Sequence, residues 1–212
     1  ENDIRITDRE GVMRLIDVAK GAGVGHFVYT SFSGHIDLPF PLRDAKRAVE
    51  SHLRESGMTY TILRPSYFME VWLSPAVGFD AVHAKAVIYG DGSKPLSLIS
   101  VPDVAHFAVA SLTNPAARNA TLELGGPQAL APLQVVKIFE KLTGRTFEVH
   151  FVPVEALEAQ QAAASDPMLQ SFSGLMRCYA AGDSNAMEAV GEAFSFPLRT
   201  VKEYAAQMAV MA

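Results

Sequence analysis

The order of structural signals in residues 26–69 constrains the fold more than any other feature of the sequence. Residues 26–31 form a short apolar run of the kind found in strands that are buried on both faces. Apolar residues then recur at helical spacing over residues 43–55, and a second apolar run over residues 60–63 ends at Pro65. A strand, a helix and a strand in this order predict two parallel strands joined by a right-handed crossover.

Polar residues follow each of these two predicted strands. In a parallel sheet wrapped by helices, ligands bind outside the carboxyl ends of the strands. Lys46 lies early in the intervening helix and close to the same edge. The sequence therefore predicts one site at this edge, formed by Thr30, Ser31, Phe32, Ser33, Lys46, Pro65, Ser66, Tyr67 and Phe68.

The rest of the chain alternates further strand and helix signals. Strands are predicted over residues 86–89, 96–101, 121–124 and 147–151, and helices over residues 9–20, 102–113, 132–144 and through 153–212. Thr7 with Glu10, and Thr200 with Glu203, have the spacing of a capping box at the start of a helix. The alternation predicts an α/β fold, with a parallel sheet flanked by helices.

The glycines of Gly21–Gly25 have a spacing that invites a phosphate-loop interpretation. A dinucleotide-binding loop, however, runs from a strand into the start of a helix, where the helix amides meet the pyrophosphate. This run leads from a helix into a strand, so it predicts a helix C-cap and a tight connection. The pair Gly125-Gly126 follows a predicted strand, but two glycines indicate only a turn.

Composition excludes several classes of function. The net charge of −5 offers no basic surface for nucleic acid, and no apolar run approaches the roughly 20 residues of a membrane helix. The acidic start lacks the basic residues of a signal peptide, and a single cysteine, Cys178, is typical of a reducing compartment. The six histidines lack metal-ligand spacing. A cytoplasmic protein without a metal, membrane or nucleic-acid site is expected.

The sequence pattern leaves two interpretations of Lys46 open. In one, Lys46 is a solvated helix residue that pairs with Glu50 one turn further on, which stabilises a helix by tenths of a kcal/mol. In the other, its ammonium group is fixed at the sheet edge and donates hydrogen bonds to the ribose hydroxyls of a nucleotide. The pattern by itself favours neither.

Longer stretches of sequence carry a resemblance to a family. The run TDREGVMRLIDVAKGAGVGHFVYTSFSG, followed by AKRAVESHLRESGMTYTILRPSYFME, resembles the NmrA-like branch of the atypical short-chain dehydrogenase/reductase superfamily. The later SVPDVAHFAVASLTNP and ATLELGGPQALAPLQVVKIFEKLTG resemble the C-terminal part of the same family. The resemblance implies a Rossmann-like NAD(P)-binding domain over residues 1–125 and a mainly helical lobe of α+β type over residues 126–212. Residues 74–95 would contribute to this substrate lobe.

The resemblance also implies roles for the predicted site. In such proteins the segments that match Thr30–Ser33 and Pro65–Phe68 border the nicotinamide of NADP, the preferred cofactor, or NAD. Lys46 matches the lysine of the superfamily's Tyr-x-x-x-Lys pair, but Leu42 occupies the tyrosine position. Alcohol dehydrogenation is therefore not expected unless Tyr67 or another hydroxyl replaces that tyrosine. This makes Lys46 and Tyr67 the candidate catalytic residues.

A second departure concerns the family's glycine-rich phosphate loop. The sequence begins where the family has passed roughly its first four strands, so the residues that hold adenine and pyrophosphate are not expected within these 212 residues. Either the chain is a fragment, or those strands are supplied from elsewhere. Expressed alone, residues 1–212 are expected to bind NAD(P) poorly and to self-associate.

These features predict an NAD(P)H-dependent reductase of a small acceptor such as a quinone. The acceptor would lie under a cover formed by Tyr67, Phe68, Met69 and Trp72, and its proton would come from water or a hydroxyl. Two alternatives stay open: a non-catalytic NADP-sensing regulatory protein, with a homo-oligomer or protein partner, and an inactive fragment.

Overall fold

The computed structural model describes residues 3–185 and 187–211. Its strands are β1 (Phe27–Thr30), β2 (Tyr60–Pro65), β3 (Phe79–Asp80), β4 (Lys85–Tyr89), β5 (Ala120–Leu124) and β6 (Glu148–Val152). Its helices are α1 (Val12–Gly21), α2 (Pro41–Glu55), α3 (Met69–Trp72), α4 (Val101–Ser111), α5 (Pro132–Thr143), α6 (Val154–Ala163), α7 (Pro167–Ala181), α8 (Glu188–Ala193) and α9 (Val201–Met211). The predicted α/β class is confirmed.

Strands β1, β2 and β5 form a parallel sheet in the order β1-β2-β5. Thr30 at the end of β1 pairs with Leu63, and Pro65 at the end of β2 pairs with Leu124 of β5. The three carboxyl ends therefore lie along one edge, as the crossover prediction requires. Within the described residues, β1 pairs with a strand on one side only.

Helices cover both faces of this sheet. Helix α2 begins at Pro41, whose missing N–H costs nothing in a first helical turn, and its buried Val49 and Leu53 face the sheet. They pack with Ile16 of α1 and Ile62 of β2. A second cluster covers the opposite face and includes Leu63, Ile99, Val104, Phe107 and Leu124. Burial on both faces explains why β2 has an almost continuous apolar sequence.

A second sheet has the order β3-β4-β6. Strands β3 and β4 are antiparallel, whereas β4 and β6 are parallel. Its core includes Ile88 of β4 and Phe139 of α5, both almost completely buried. The sheet thus pairs residues 79–89 with residues 148–152, although β5 and α5 lie between these two segments in the sequence.

Two local predictions were wrong. The first helix does not begin at Thr7: a π-helical segment, Arg5–Gly11, leads into α1, and the Thr7 hydroxyl bonds Asp3 and Asp8. Residues 96–101 do not form a regular strand, because their backbone bonds go to separate partners instead of one neighbouring strand. They include bonds from Leu96 to Leu130 and from Ile99 to Tyr67.

Other local predictions are confirmed. Thr200 and Glu203 form the expected capping box, since the Glu203 N–H donates to the Thr200 hydroxyl and the Thr200 N–H donates to the Glu203 carboxylate. Helix α1 ends at Gly21, and Gly23 adopts a positive φ of 77°, so the glycine run is a helix C-cap. No helix in residues 3–185 or 187–211 is long and apolar enough to cross a membrane.

Candidate functional site

The predicted site segments meet at the carboxyl edge of the first sheet. The Ser31 N–H donates to the Leu63 carbonyl at 2.7 Å, and the Ser33 N–H donates to the Pro65 carbonyl at 2.9 Å. The Lys46 ammonium lies 3.4 Å from the Thr30 carbonyl oxygen. The predicted convergence of both loops and Lys46 on one edge is therefore what the structure shows.

Lys46 is half-buried among aromatic rings. Its Nζ lies 5.4 Å from the ring centroid of Tyr29 and 5.6 Å from that of Phe32. Burial lowers the pKa of Lys46, and the charge of Asp8 opposes that effect. Of the two open interpretations of Lys46, the ion pair with Glu50 is not the one observed, because Glu50 pairs with Arg47, Arg54 and Arg64. An ammonium group held by ring faces and one carbonyl keeps N–H donors for a ligand.

Glu50 is fully buried beneath the loop that follows β1. Its carboxylate accepts hydrogen bonds from the Ser31 hydroxyl at 2.6 Å, from Arg47 at 2.7 Å and from Arg54 at 3.0 Å. Arg64 donates to both of its oxygens. Burial alone would raise the pKa of Glu50, but these hydrogen bonds and charges outweigh it and hold the pKa at about 2.

The arginines around Glu50 also fix the loop itself. Arg47 donates to the carbonyl oxygens of Phe32 at 2.9 Å and Ser33 at 2.7 Å. Arg64 forms an ion pair of 3.0 Å with Glu123, which accepts the Gly34 N–H at 2.8 Å. The loop is thus anchored by charged groups from α2, β2 and β5, which restricts its conformations before any ligand binds.

A second carboxylate holds the same loop from the other side. Asp183 Oδ1 accepts hydrogen bonds from the Ser33 hydroxyl at 3.0 Å and from His35 Nδ1 at 2.9 Å. The Asp183 side chain is fully buried, whereas the His35 ring is 56% exposed. Sequence reasoning considered Glu50 only as a partner of Lys46, and it missed Asp183. The one local signal that Glu50 has a buried role was Arg64, a charged residue between the apolar Leu63 and Pro65 of β2.

Tyr67 lies in the core and does not face the open edge. Its ring is 2% exposed and contacts Trp72 and Tyr179 at centroid distances of 4.6 and 5.4 Å. Burial raises the pKa of its phenol well above 10. A catalytic role for Tyr67 stays a prediction that this geometry does not favour. Met69 and Trp72 are also buried, so Phe68 is the one member of the expected cover that is half-exposed.

Burial divides the nine predicted site residues into two groups. Those that reach the surface are Thr30, Phe32, Lys46 and Phe68, whereas those that are buried are Ser31, Ser33, Pro65, Ser66 and Tyr67. The two buried loop serines bind carboxylates, so their hydroxyls shape the loop from inside. The surface that a ligand could contact is therefore cationic and aromatic, with one exposed threonine and the neighbouring His35.

Comparison with known proteins gives the chain a family context. The sequence model of the NmrA-like family matches residues 8–205. The NAD(P)H azoreductase of Xenophilus azovorans is 31% identical over 200 residues, which cover 90% of this chain and 68% of that protein. Three further curated relatives are 27–28% identical, and the chain spans 40–49% of their length.

Solved structures share the fold. The NADPH-dependent quinone oxidoreductase of Escherichia coli, complexed with NADPH, has a TM-score of 0.72 at 20% identity, covering 93% of this chain and 70% of that one. The Citrobacter sp. triphenylmethane reductase, complexed with NADP(H), has a TM-score of 0.77 at 18% identity, covering 99% and 73%. At these identities the likeness establishes a common Rossmann-like architecture.

Proposed function

Because the chain belongs to the NmrA-like family, we propose that it acts as an NAD(P)H-dependent reductase of a small acceptor such as a quinone. The observation that carries the proposal is that Thr30, Phe32, Lys46 and Phe68 stay accessible in segments that meet at the carboxyl edge of the parallel sheet. That edge is where nucleotides bind in sheets of this type. The similarity to an NAD(P)H azoreductase supports the same reaction class.

The residues at this edge fit the nicotinamide and ribose end of a dinucleotide. Lys46 would donate to ribose hydroxyls, and the faces of Phe32 and Phe68 would contact the nicotinamide ring. When bound, the dinucleotide supplies a hydride. The complexes of related folds with NADPH and NADP(H) support a preference for NADP.

Neither glycine motif fits the pyrophosphate. Gly21–Gly25 ends a helix instead of beginning one. A Cβ on Gly126 would lie 1.9 Å from the Leu98 carbonyl oxygen, and one on Gly125 would lie 2.8 Å from the Ser97 side chain. Gly125 and Gly126 therefore serve close backbone packing, and the proposal for these residues concerns the nicotinamide end alone.

We also propose that the second sheet belongs to the substrate lobe. Its strands come from residues 79–89 and 148–152, which combines the expected contribution of 74–95 with the 126–212 segment. Limited proteolysis at the segments between the two sheets, followed by mass spectrometry of the surviving fragments, tests this division.

The reductase proposal is tested by NADPH oxidation with a panel of acceptors. We expect loss of absorbance at the NADPH band with at least one quinone or azo dye, and tighter binding of NADPH than of NADH by calorimetry. If the complete protein neither binds a dinucleotide nor turns over any acceptor, the proposal is contradicted.

A second candidate is a non-catalytic regulatory protein that binds dinucleotide. Leu42 in place of the family tyrosine favours it, because leucine cannot exchange a proton and Tyr67 is buried. Dinucleotide binding without turnover of any acceptor, together with a stable protein partner in size-exclusion chromatography, would support this candidate over the reductase.

A further inference from the structure

Three histidines of the described residues form ion pairs with aspartates, and one pair differs from the others. In the pairs His52–Asp17 and His83–Asp80 the aspartate side chains are 60% and 27% exposed. In the pair of His35 with Asp183 the carboxylate is fully buried, while the ring stays 56% exposed. A carboxylate without solvent interacts with its partner far more strongly than one in water.

The backbone and its neighbours hold Asp183 in place. Its N–H donates to the Pro95 carbonyl at 3.0 Å, and its carbonyl accepts the Ser97 N–H at 2.8 Å. Oδ1 binds the Ser33 hydroxyl and His35, whereas Oδ2 has no hydrogen-bond partner in the part of the chain that is described. Since Ser33 is a neutral donor, His35 is the cationic group that can compensate this buried charge.

His35 occupies the functional edge of the sheet. Its own N–H donates to the Ser33 hydroxyl at 3.2 Å, and the preceding Gly34 is bound to Glu123 at the end of β5. Asp183 engages Nδ1, and Nε2 makes no hydrogen bond within the described residues. A carboxylate on one ring nitrogen orients an imidazole so that the other nitrogen can exchange a proton.

We propose that His35 donates the proton that accompanies acceptor reduction, and that Asp183 is its positioning residue. The inference rests on the proposed reductase function. It assigns the donor role that Leu42 cannot fill and that buried Tyr67 is badly placed to fill.

The step balances for a quinone. The hydride brings two electrons and one hydrogen to the acceptor, and the Nε2–H bond of the imidazolium breaks as an O–H bond forms on the quinone oxygen. His35 becomes a neutral imidazole that keeps its Nδ1–H on Asp183. Because the ring is exposed, water restores the lost proton.

Several charged groups surround this loop. Besides Asp183 they are Glu123, which is paired with Arg64, and Asp37, which is paired with Arg43 and whose N–H binds the His35 carbonyl. Arginines stay protonated throughout the working range, so among the cationic side chains of this loop the imidazole is the one that can give up a proton.

The test compares acceptors that need a proton with one that does not. A quinone takes up a hydride and a proton, whereas the central carbon of a cationic triphenylmethane dye takes up a hydride alone. In the complete protein with NADPH, His35→Gln should lower kcat for the quinone roughly a hundredfold and change dye reduction less than about twofold. His52→Gln, which removes an exposed pair, should change neither.

The Asp183→Asn variant distinguishes a role of Asp183 in positioning His35 from a role in stabilising the fold. It should lower kcat for the quinone about tenfold at unchanged KM, because the imidazole would no longer be oriented by a charged carboxylate. In nitrogen-15 spectra of the protein without NADPH, the Nδ1–H signal of His35 should change in this variant, because asparagine offers Nδ1–H only a neutral acceptor.

Three results would overturn the inference. One is quinone reduction by His35→Gln within about twofold of wild type, and another is an unchanged Nδ1–H signal in Asp183→Asn. The third is a wild type that reduces the dye but no quinone. A wild type that reduces no acceptor would instead refute the proposed function, and this inference with it.

Discussion

Replacing Glu50 by glutamine removes the charge on which the loop network depends. The ordinary carboxyl pKa of 4.5 is lowered to about 2 in the folded protein. At 1.36 kcal/mol for each pH unit, this corresponds to about 3 kcal/mol of folding free energy at neutral pH. Because Arg47, Arg54 and Arg64 would also lose their shared partner, Glu50→Gln should destabilise the protein by at least that amount.

The sign of the pH dependence follows from the lowered pKa. A carboxyl whose folded pKa lies below its unfolded value stabilises the protein above about pH 4.5 and loses that effect as the pH falls through about 2. The difference in unfolding free energy between wild type and Glu50→Gln should therefore shrink by about 2 kcal/mol between pH 7 and pH 3.

Urea denaturation at pH 7, 4 and 3 measures this difference directly. For a chain of this length, a loss of about 3 kcal/mol at pH 7 also corresponds to a fall in Tm of about 6–12 °C. Glu55→Gln is the matched control, because Glu55 lies on the same helix but is exposed and bonds only Ser51 among the described residues. An equal difference at pH 7 and pH 3, or none at either, would refute the assignment of Glu50 as the ionised anchor.

Three other predictions concern binding, packing and the sheet edge. Lys46→Ala should weaken dinucleotide binding by the complete protein roughly ten- to a hundredfold in calorimetry, whereas Leu42→Ala, which removes only apolar contact, should have a smaller effect. Leu53→Ala should lower the unfolding free energy by about 2–5 kcal/mol, because Leu53 is fully buried, while Leu15→Ala at a 57% exposed position should change it little. Since β1 pairs on one side only within the described residues, residues 1–212 should self-associate in sedimentation, and a monodisperse monomer would contradict this.

The sequence predicts the parts of the fold that depend on local periodicity. The β1, α2 and β2 unit follows from two short apolar runs around one amphipathic segment, and the position of both loops follows from parallel pairing. The prediction of a strand over residues 96–101 is wrong for a physical reason. Leu96, Leu98 and Ile99 are buried as in a strand. The backbones of Leu96, Ser97 and Ile99, however, each bond a different part of the chain.

The orientation of site side chains depends on contacts that are distant in sequence. The aromatic residues after β2 are typical of a pocket cover by composition, yet Tyr67 and Trp72 turn inward to pack against Tyr179 of α7. Ser33 and Asp183 are 150 residues apart, and no spacing rule connects them. The sequence predicts where this loop lies in the fold, but it does not predict which of the loop's hydroxyl groups face inward.

The two buried carboxylates on either side of this loop are balanced by different cations. Glu50 is surrounded by arginines, which stay protonated at any working pH, so the Ser31 side of the loop is a fixed anchor. Asp183 is paired with one exposed imidazole, a group that can give up a proton and regain it from water. Since Ser31 and Ser33 are two residues apart in one loop, the fixed anchor can hold the backbone steady while the charge beside Ser33 changes. A proton donor needs both properties: a constant position and a changeable charge.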